Sequence, residues 1–246
     1  MIDHELLYNT IFKRKSIRKF LKEPLKEENL IDVMDKSKEI FPFLPEIKTE
    51  FKLVPPDEIR GMFKVPAPHY LAIYSEQKDG YLPNAGFMLQ QMDLYLSSHG
   101  IGSCWQGSPK PPRELREISG KSFIIMLALG KPEEPLHRMS LSEFKRYPLT
   151  KITDIQGKET LLEAARLAPS GMNKQPWFFT GSEDIIDAYV STSLVMKELN
   201  EIDLGIALCH LWLAGLHFGY KIELNRKGPR TPPPKGYAYG GSIRLL

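Results

Sequence analysis

The chain has 246 residues, 42% apolar and 26% charged, which argues against disorder as its main state and leaves room for one large domain or two small ones. Its 33 basic and 30 acidic residues give a net charge of +3, too mixed for the clustered field that a nucleic-acid-binding protein needs. Only Cys104 and Cys209 are present, without paired spacing, so neither a disulfide framework nor a cysteine zinc site is expected, and a reducing cytoplasm is the natural compartment.

Asp3 and Glu5 beside Leu6 and Leu7 do not make the basic flank and long apolar run of a signal peptide. Leu7, Ile11 and Phe12 sit at helical spacing, so a short first helix delivers Lys13-Arg14-Lys15-Ser16-Ile17-Arg18-Lys19-Phe20 at its end, with Ser16 to Phe20 extended. A second helix starts near Lys26, with Glu27 and Glu28 in its first turn and Leu30, Val33, Met34 and Ser37 on one face. Prolines at 42, 45, 55 and 56 interrupt the stretch after this helix. His69 to Tyr74 and Phe123 to Leu129 read as strands covered on both faces, and Asn84 to His99 as a buried helix capped by Gly100.

Further on, a helix is expected from about Lys158 to Ala168, turned inward through Leu161, Leu162, Ala165 and Ala168 and ended by Pro169. Trp177 to Phe179 reads as a strand, Ile185 to Leu199 as a helix, and Asp203 to Gly219 as another. The apolar run Ile202 to Tyr220 contains Asp203, His210 and His217, which suits a buried helix better than a membrane span. Thr231-Pro232-Pro233-Pro234 is a stiff loop before a last strand from about Tyr237 to Leu245. A weak repeat links the halves: Gly86 precedes Gly100 by fourteen residues, as Gly205 precedes Gly219, and Leu89 and Leu94 then align with Leu208 and Leu213.

Three segments carry candidate chemistry. Arg14, Lys15, Ser16 and Arg18 place guanidinium, ammonium and hydroxyl donors within five residues, the set that suits a terminal phosphate. Ala168-Pro169-Ser170-Gly171-Met172-Asn173 is a small-residue turn that lets backbone approach a planar ligand while Ser170 and Asn173 supply hydrogen bonds. Gly100-Ile101-Gly102-Ser103-Cys104-Trp105-Gln106-Gly107-Ser108 reads as a glycine-spaced turn that can offer main-chain N–H groups. Taken singly, the first reads as a solvated basic face and the second, without Gln175-Pro176-Trp177 after it, as an ordinary helix-ending loop; a helix cap with a buried Trp explains the third equally well, and Cys104 reads as a packed small residue.

Together they resemble the nitroreductase family of FMN-dependent oxidoreductases. Arg14 to Phe20 is similar to its Arg-Arg-Ser-x-Arg-x-Phe opening, Ala168 to Trp177 to its Ala-Pro-Ser-x-x-Asn-x-Gln-Pro-Trp turn, and Gly100 to Trp105 to its Gly-Leu-Gly-Ser-Cys-Trp. Leu129-Gly130-Lys131-Pro132 followed by Arg138 matches its closing segment. The order differs: the Pro-Ser-x-x-Asn turn is missing from its family place at residues 37–50 and stands instead after the first half has closed. Family members are homodimers with FMN at the interface, so the resemblance implies a fused pseudo-dimer with one FMN per chain.

The resemblance thus implies an α+β fold with mostly antiparallel sheets flanked by helices, in two degenerate halves, 1–147 and 148–246, forming one compact unit. It implies that Arg14, Lys15, Ser16, Arg18 and Arg138 hold the phosphate, that Pro169, Ser170, Gly171 and Asn173 line the ribityl chain and ring, and that Gln106, Gly107 and Ser108 offer backbone donors near flavin N5. Redox chemistry then belongs to FMN, with NADH or NADPH as transient donor, a nitroaromatic or quinone as acceptor in a ping-pong cycle, and no catalytic triad or metal. The expected protein is a monomer acting as a pseudo-dimer, with no nucleic-acid or membrane partner. A flavin storage or sensor protein without turnover is the alternative, and a cofactor-free nucleic-acid-binding relic a further one. Arg14→Ala is expected to weaken FMN retention more than apo-protein stability.

Overall fold

The computed structural model describes residues 2–182 and 184–246. Five α-helices and two antiparallel sheets alternate along it. The first half holds α1 (His4–Ile11), α2 (Glu27–Ser37), β1 (Thr49–Val54), β2 (His69–Ser75), α3 (Tyr81–Ser98), β3 (Gly102–Gln106), β4 (Glu117–Ile118) and β5 (Lys121–Gly130). The second holds α4 (Glu159–Arg166), β6 (Trp177–Gly181), β7 (Ile185–Ser191), α5 (Lys197–His217), β8 (Ile222–Asn225) and β9 (Tyr237–Leu245).

The first sheet runs β1-β2-β5-β3, with β4 beside β5, and the second runs β6-β7-β9-β8. Matching β1 with β6, β2 with β7, β5 with β9 and β3 with β8 gives the same order in both. A register shift falls between Ile73 and Tyr74 in one sheet and between Ala188 and Tyr189 in the other.

Between the sheets lie α3 and α5, nearly apolar all round and buried for most of their lengths, as helices enclosed on every side must be. They cross where neither has a side chain. A Cβ on Gly86 would stand 2.1 Å from the carbonyl oxygen of Ile202, and one on Gly205 would stand 2.0 Å from that of Pro83. The same sequence separation that joins Gly86 to Gly205 joins Pro83 to Ile202, so the contact is reciprocal, as at a two-fold axis. Among the described residues α5 is the one helix long and apolar enough to cross a membrane, and 83% of its apolar window is buried inside the fold.

Most expected elements occur close to their expected bounds. The helix expected over Ile185 to Leu199 does not: Ile185–Ser191 is β7, hydrogen-bonded to β6 and β9, and helix resumes only at Lys197, after Met196 at φ 67°. Ile-Ile-x-Ala-Tyr-Val is a short apolar run rich in β-branched and aromatic residues, where periodicity alone does not separate strand from buried helix. Its Asp187 is fully buried, accepting from the backbone N–H groups of Arg230 and Thr231 and from the Ser242 hydroxyl. The glycine-spaced turn is confined to Gly100 and Ile101, since Gly102–Gln106 pairs with β5 as β3. The proline-interrupted stretch also contains β1, paired throughout with β2.

Candidate functional site

The basic segment is pinned on both sides. Ile17 is fully buried and its N–H donates to the Ser103 carbonyl at 2.8 Å, Arg14 pairs with His137, Phe20 pairs with Pro132, and the Arg138 N–H donates to the Lys13 carbonyl. An extended chain alternates its side chains, so burial of Ile17 sends Ser16 and Arg18 the opposite way, into one cavity.

The other wall comes from the second half. After α4 the chain turns through Ser170 to Gln175, with Met172, Asn173 and Gln175 at φ 52°, 57° and 48°. Three non-glycine residues in the left-handed region make a costly turn that needs outside support. Ser170 Oγ accepts from the Gln175 N–H at 2.9 Å, Asn173 Nδ2 donates to the Lys145 carbonyl at 2.6 Å, Asn173 Oδ1 accepts from Arg146, and the Gly171 N–H donates to the Asp203 carboxyl at 2.9 and 3.1 Å.

The two walls enclose a cleft with two chambers. The outer one, about 570 Å³, is lined by Arg14, Lys15, Ser16, Arg18, Lys19, Glu134, Arg138, Arg146, Pro169, Ser170, Met172 and Asn173. The inner one, about 150 Å³, shares Ser16, Arg18, Pro169, Ser170 and Met172 with it and adds Cys104, Trp105, Gly107, Ile125, Gly171, Leu199, Asp203 and Ile206. Segments far apart in sequence thus line two adjoining cavities with five lining residues in common.

Charge divides the chambers. In the outer one, burial and then the nearby Arg14 charge lower Arg138 to about 10, and burial followed by Arg138, Arg14 and Arg166 lowers Arg146 to about 10. Guanidiniums pushed down by one another's charge form a site that an anion relieves. Arg146 is fixed by the Ala168 carbonyl at 3.0 Å, while Arg138 donates to the Arg14 carbonyl and lies over the Phe144 ring. Lys15 stands 3.4 Å from Glu134, a weak contact at a partly exposed position that leaves its charge available to a ligand.

Arg14 is bound differently. Its Nε donates to Asp93 at 2.6 Å, both side chains are essentially buried, and Ser103 donates to the same carboxylate at 2.5 Å. Removing Arg14 strands a buried charge, so Arg14→Ala should cost the apo-protein stability as well, whereas the sequence alone pointed mainly to FMN retention.

In the inner chamber Asp203 is held near-neutral: burial pushes its carboxyl up to about 8, against the pull of the Gly171 N–H. An unfolded Asp titrates near 3.8, so the folded chain binds the extra proton between about pH 4 and 8. Stability from this group is therefore full below that window and lost as pH rises through it. Denaturant midpoints of apo-protein should fall across pH 4–8, and Asp203→Asn should level that part of the slope. Burial also raises the Cys104 thiol, keeping it protonated and unreactive.

Of the sequence-selected residues, Arg14, Lys15, Ser16, Arg18, Arg138, Pro169, Ser170 and Asn173 line the outer chamber, and Gly107 and Gly171 the inner one. Gln106 and Ser108, expected to act through their backbone, are not among the residues that line either chamber. The Gln106 side chain is buried, accepting from the Val65 N–H and donating to the Cys104 and Trp105 carbonyls, and Ser108 is exposed. Sequence reasoning missed Lys19, Arg146 and Asp203. Asp203 carried a signal, a carboxyl inside the apolar run Ile202-Asp203-Leu204, whereas Arg146 lies in a polar loop with nothing to mark it.

The sequence matches a family described as "Putative TM nitroreductase" over residues 6–215. No curated protein matches it. Among solved structures, it is similar to a "putative nitroreductase" from Thermotoga maritima MSB8, 21% identical, covering 100% of this chain and 95% of that one at a TM-score of 0.68, which shows a common fold. It also aligns with an FMN-dependent nitroreductase from Clostridium difficile R20291, 19% identical, over 55% of this chain and 93% of that one, at a TM-score of 0.46.

Proposed function

Because the chain belongs to this nitroreductase family over residues 6–215, we propose that it is an FMN-dependent oxidoreductase with one flavin site, formed where the N-terminal basic segment meets the Pro169–Asn173 turn. The observation that carries this reading is the cleft, in which a cationic chamber opens into a mainly apolar one. FMN has the same division, a phosphate at one end and a planar ring at the other.

The residues fit that group. Lys15, Arg18, Arg138 and Arg146 supply charge-assisted donors to a phosphate, whose negative charge offsets their mutual repulsion. Ile125, Ile206 and Leu199 provide apolar surface for the ring, and Trp105 lines the same chamber with its indole Nε1 buried and without a hydrogen-bond partner among the described residues. When bound, FMN would carry electrons in two steps, from NADH or NADPH and then to a small organic acceptor such as a nitroaromatic or quinone. The protein's part is to hold and orient the ring, exclude water, and place the Arg18 cation at the junction of the chambers, where it favours a negatively charged reduced state.

The matched strand order of the sheets and the reciprocal glycine contact support reading residues 1–147 and 148–246 as two halves of a pseudo-dimer, acting as a monomer. In the first half, Phe41 to Glu46 occupies the place of the Pro169–Asn173 turn. There Phe43 and Leu44 are buried in the core, and the half-exposed Phe41 ring stacks on Trp212 at 5.2 Å, where the second half has the small residues Ser170 and Gly171.

Anaerobic mixing of the FMN-loaded protein with NADH or NADPH tests the reading. Bleaching of the flavin absorbance by at least one donor is the expected result, and oxidised flavin persisting with both would leave a binding protein without turnover. Arg146→Ala should weaken FMN binding about 10- to 100-fold, the loss of one charge-assisted contact, as read from the quenching of flavin fluorescence.

A further inference from the structure

The position that Asp203 holds in α5 is held by Asn84 in α3, at the separation that relates Gly205 to Gly86. Both side chains do the same structural work. Asn84 Oδ1 accepts the Leu44 N–H at 2.9 Å, and the Asp203 carboxyl accepts the Gly171 N–H at 2.9 Å. In the first half an amide thus fastens the corresponding segment to α3, with its Nδ2 buried and without a hydrogen-bond partner among the described residues. Only the half with the open cleft carries an acid, and that acid lines the inner chamber.

We propose that Asp203 touches the ring system bound in the inner chamber through its carboxyl O–H and supplies the proton that accompanies hydride transfer to the acceptor. This rests on the flavin reading and goes beyond it, because the turn itself has no use for a proton. Nearly complete burial keeps the group protonated at neutral pH. Both carboxyl oxygens stand within hydrogen-bonding distance of the single Gly171 N–H, at 2.9 and 3.1 Å; one N–H needs only one of them as acceptor, so the other can carry the proton.

The charged and titratable groups that face it there are Arg18 from the N-terminal segment and Cys104 from β3, while Lys197 and Glu198, one turn and more earlier in α5, line a neighbouring cavity. Atoms and electrons balance in the step. With FMN bound, the reduced nicotinamide would be the two-electron source and the acceptor would gain a hydride equivalent. The Asp203 O–H bond breaks as its proton goes to the acceptor atom that has become negative, and water from the outer chamber reprotonates the carboxylate.

The test compares wild type with Asp203→Asn, which keeps the acceptor for Gly171 and loses the proton. FMN dissociation constants are measured from pH 7 to 9.5, and reoxidation of the reduced protein is followed with p-benzoquinone, which needs a proton, and with ferricyanide, which does not. Expected for wild type is affinity that falls above about pH 8, by up to tenfold per unit. Expected for Asp203→Asn is a flat profile and a quinone reduction slowed about a hundredfold more than ferricyanide reduction.

Identical pH profiles and quinone rates in the two proteins would overturn the proposal and leave the flavin reading standing. A wild type that binds no FMN at any pH would overturn both. Should the variant not fold, an infrared difference spectrum of wild type between oxidised and reduced flavin decides: a protonated-carboxyl band that shifts on reduction supports the assignment, and the absence of any carboxyl change refutes it.

Discussion

Arg14→Ala should destabilise the apo-protein by about 3–5 kcal/mol, the usual cost of leaving one member of a buried ion pair uncompensated. The Arg14 Nε to Asp93 contact is 2.6 Å with neither side chain appreciably exposed, and Asp93 also accepts from Ser103, so no rearrangement readily brings water to the stranded carboxylate. Equilibrium urea unfolding of the flavin-free protein measures it. Asp93→Asn should recover part of the loss in the double variant, because a neutral amide at the same place needs no counter-charge. A variant as stable as wild type would mean that Arg14 serves only the ligand. Arg14 is thus a support of the outer chamber as much as a wall of it, which a basic run in a sequence cannot reveal.

Gly86→Ala and Gly205→Ala should each cost about 3 kcal/mol, the upper part of the usual range for overpacking. The obstructing atoms are backbone carbonyl oxygens at 2.1 and 2.0 Å from the added Cβ, and a helix backbone cannot step aside as a flexible side chain can. Because the contact is reciprocal, the two substitutions should have similar effects. In the double variant their sum should not be reached, since the first forces the helices apart and admits the second. Thermal unfolding of the three variants checks this, and two single variants as stable as wild type would contradict the close crossing of α3 and α5.

The sequence made the fold legible where periodicity was long. The buried helices around Leu89 and Leu208, the extended Ser16 to Phe20 and the final strand from Tyr237 are set by spacing alone. It failed at Ile185 to Ser191, because five apolar residues with one aspartate have no period to read, and the partner that accommodates Asp187 is a loop more than forty residues away.

The candidate site was legible as two strings whose chemistry was ambiguous until the fold joined them. Ser16, Arg18, Pro169 and Ser170 line both chambers, as the pairing of the strings requires. Gln106 faces inward because β3 continues through it, an outcome that reading the segment as a turn could not foresee. Arg146 came to light only through the chain reversal that sets it under Asn173, and Asp203 only through its hydrogen bond to Gly171. In each case the missing information was a contact between distant segments.

Whether the two halves share a single flavin site is tested most directly by the stoichiometry of bound FMN. Protein saturated with FMN and freed of excess should show an oxidised-flavin absorbance corresponding to one FMN per chain, with Arg146→Ala losing its flavin on dilution well before wild type. Two FMN per chain, or a colourless protein that cannot be loaded, would contradict the shared site.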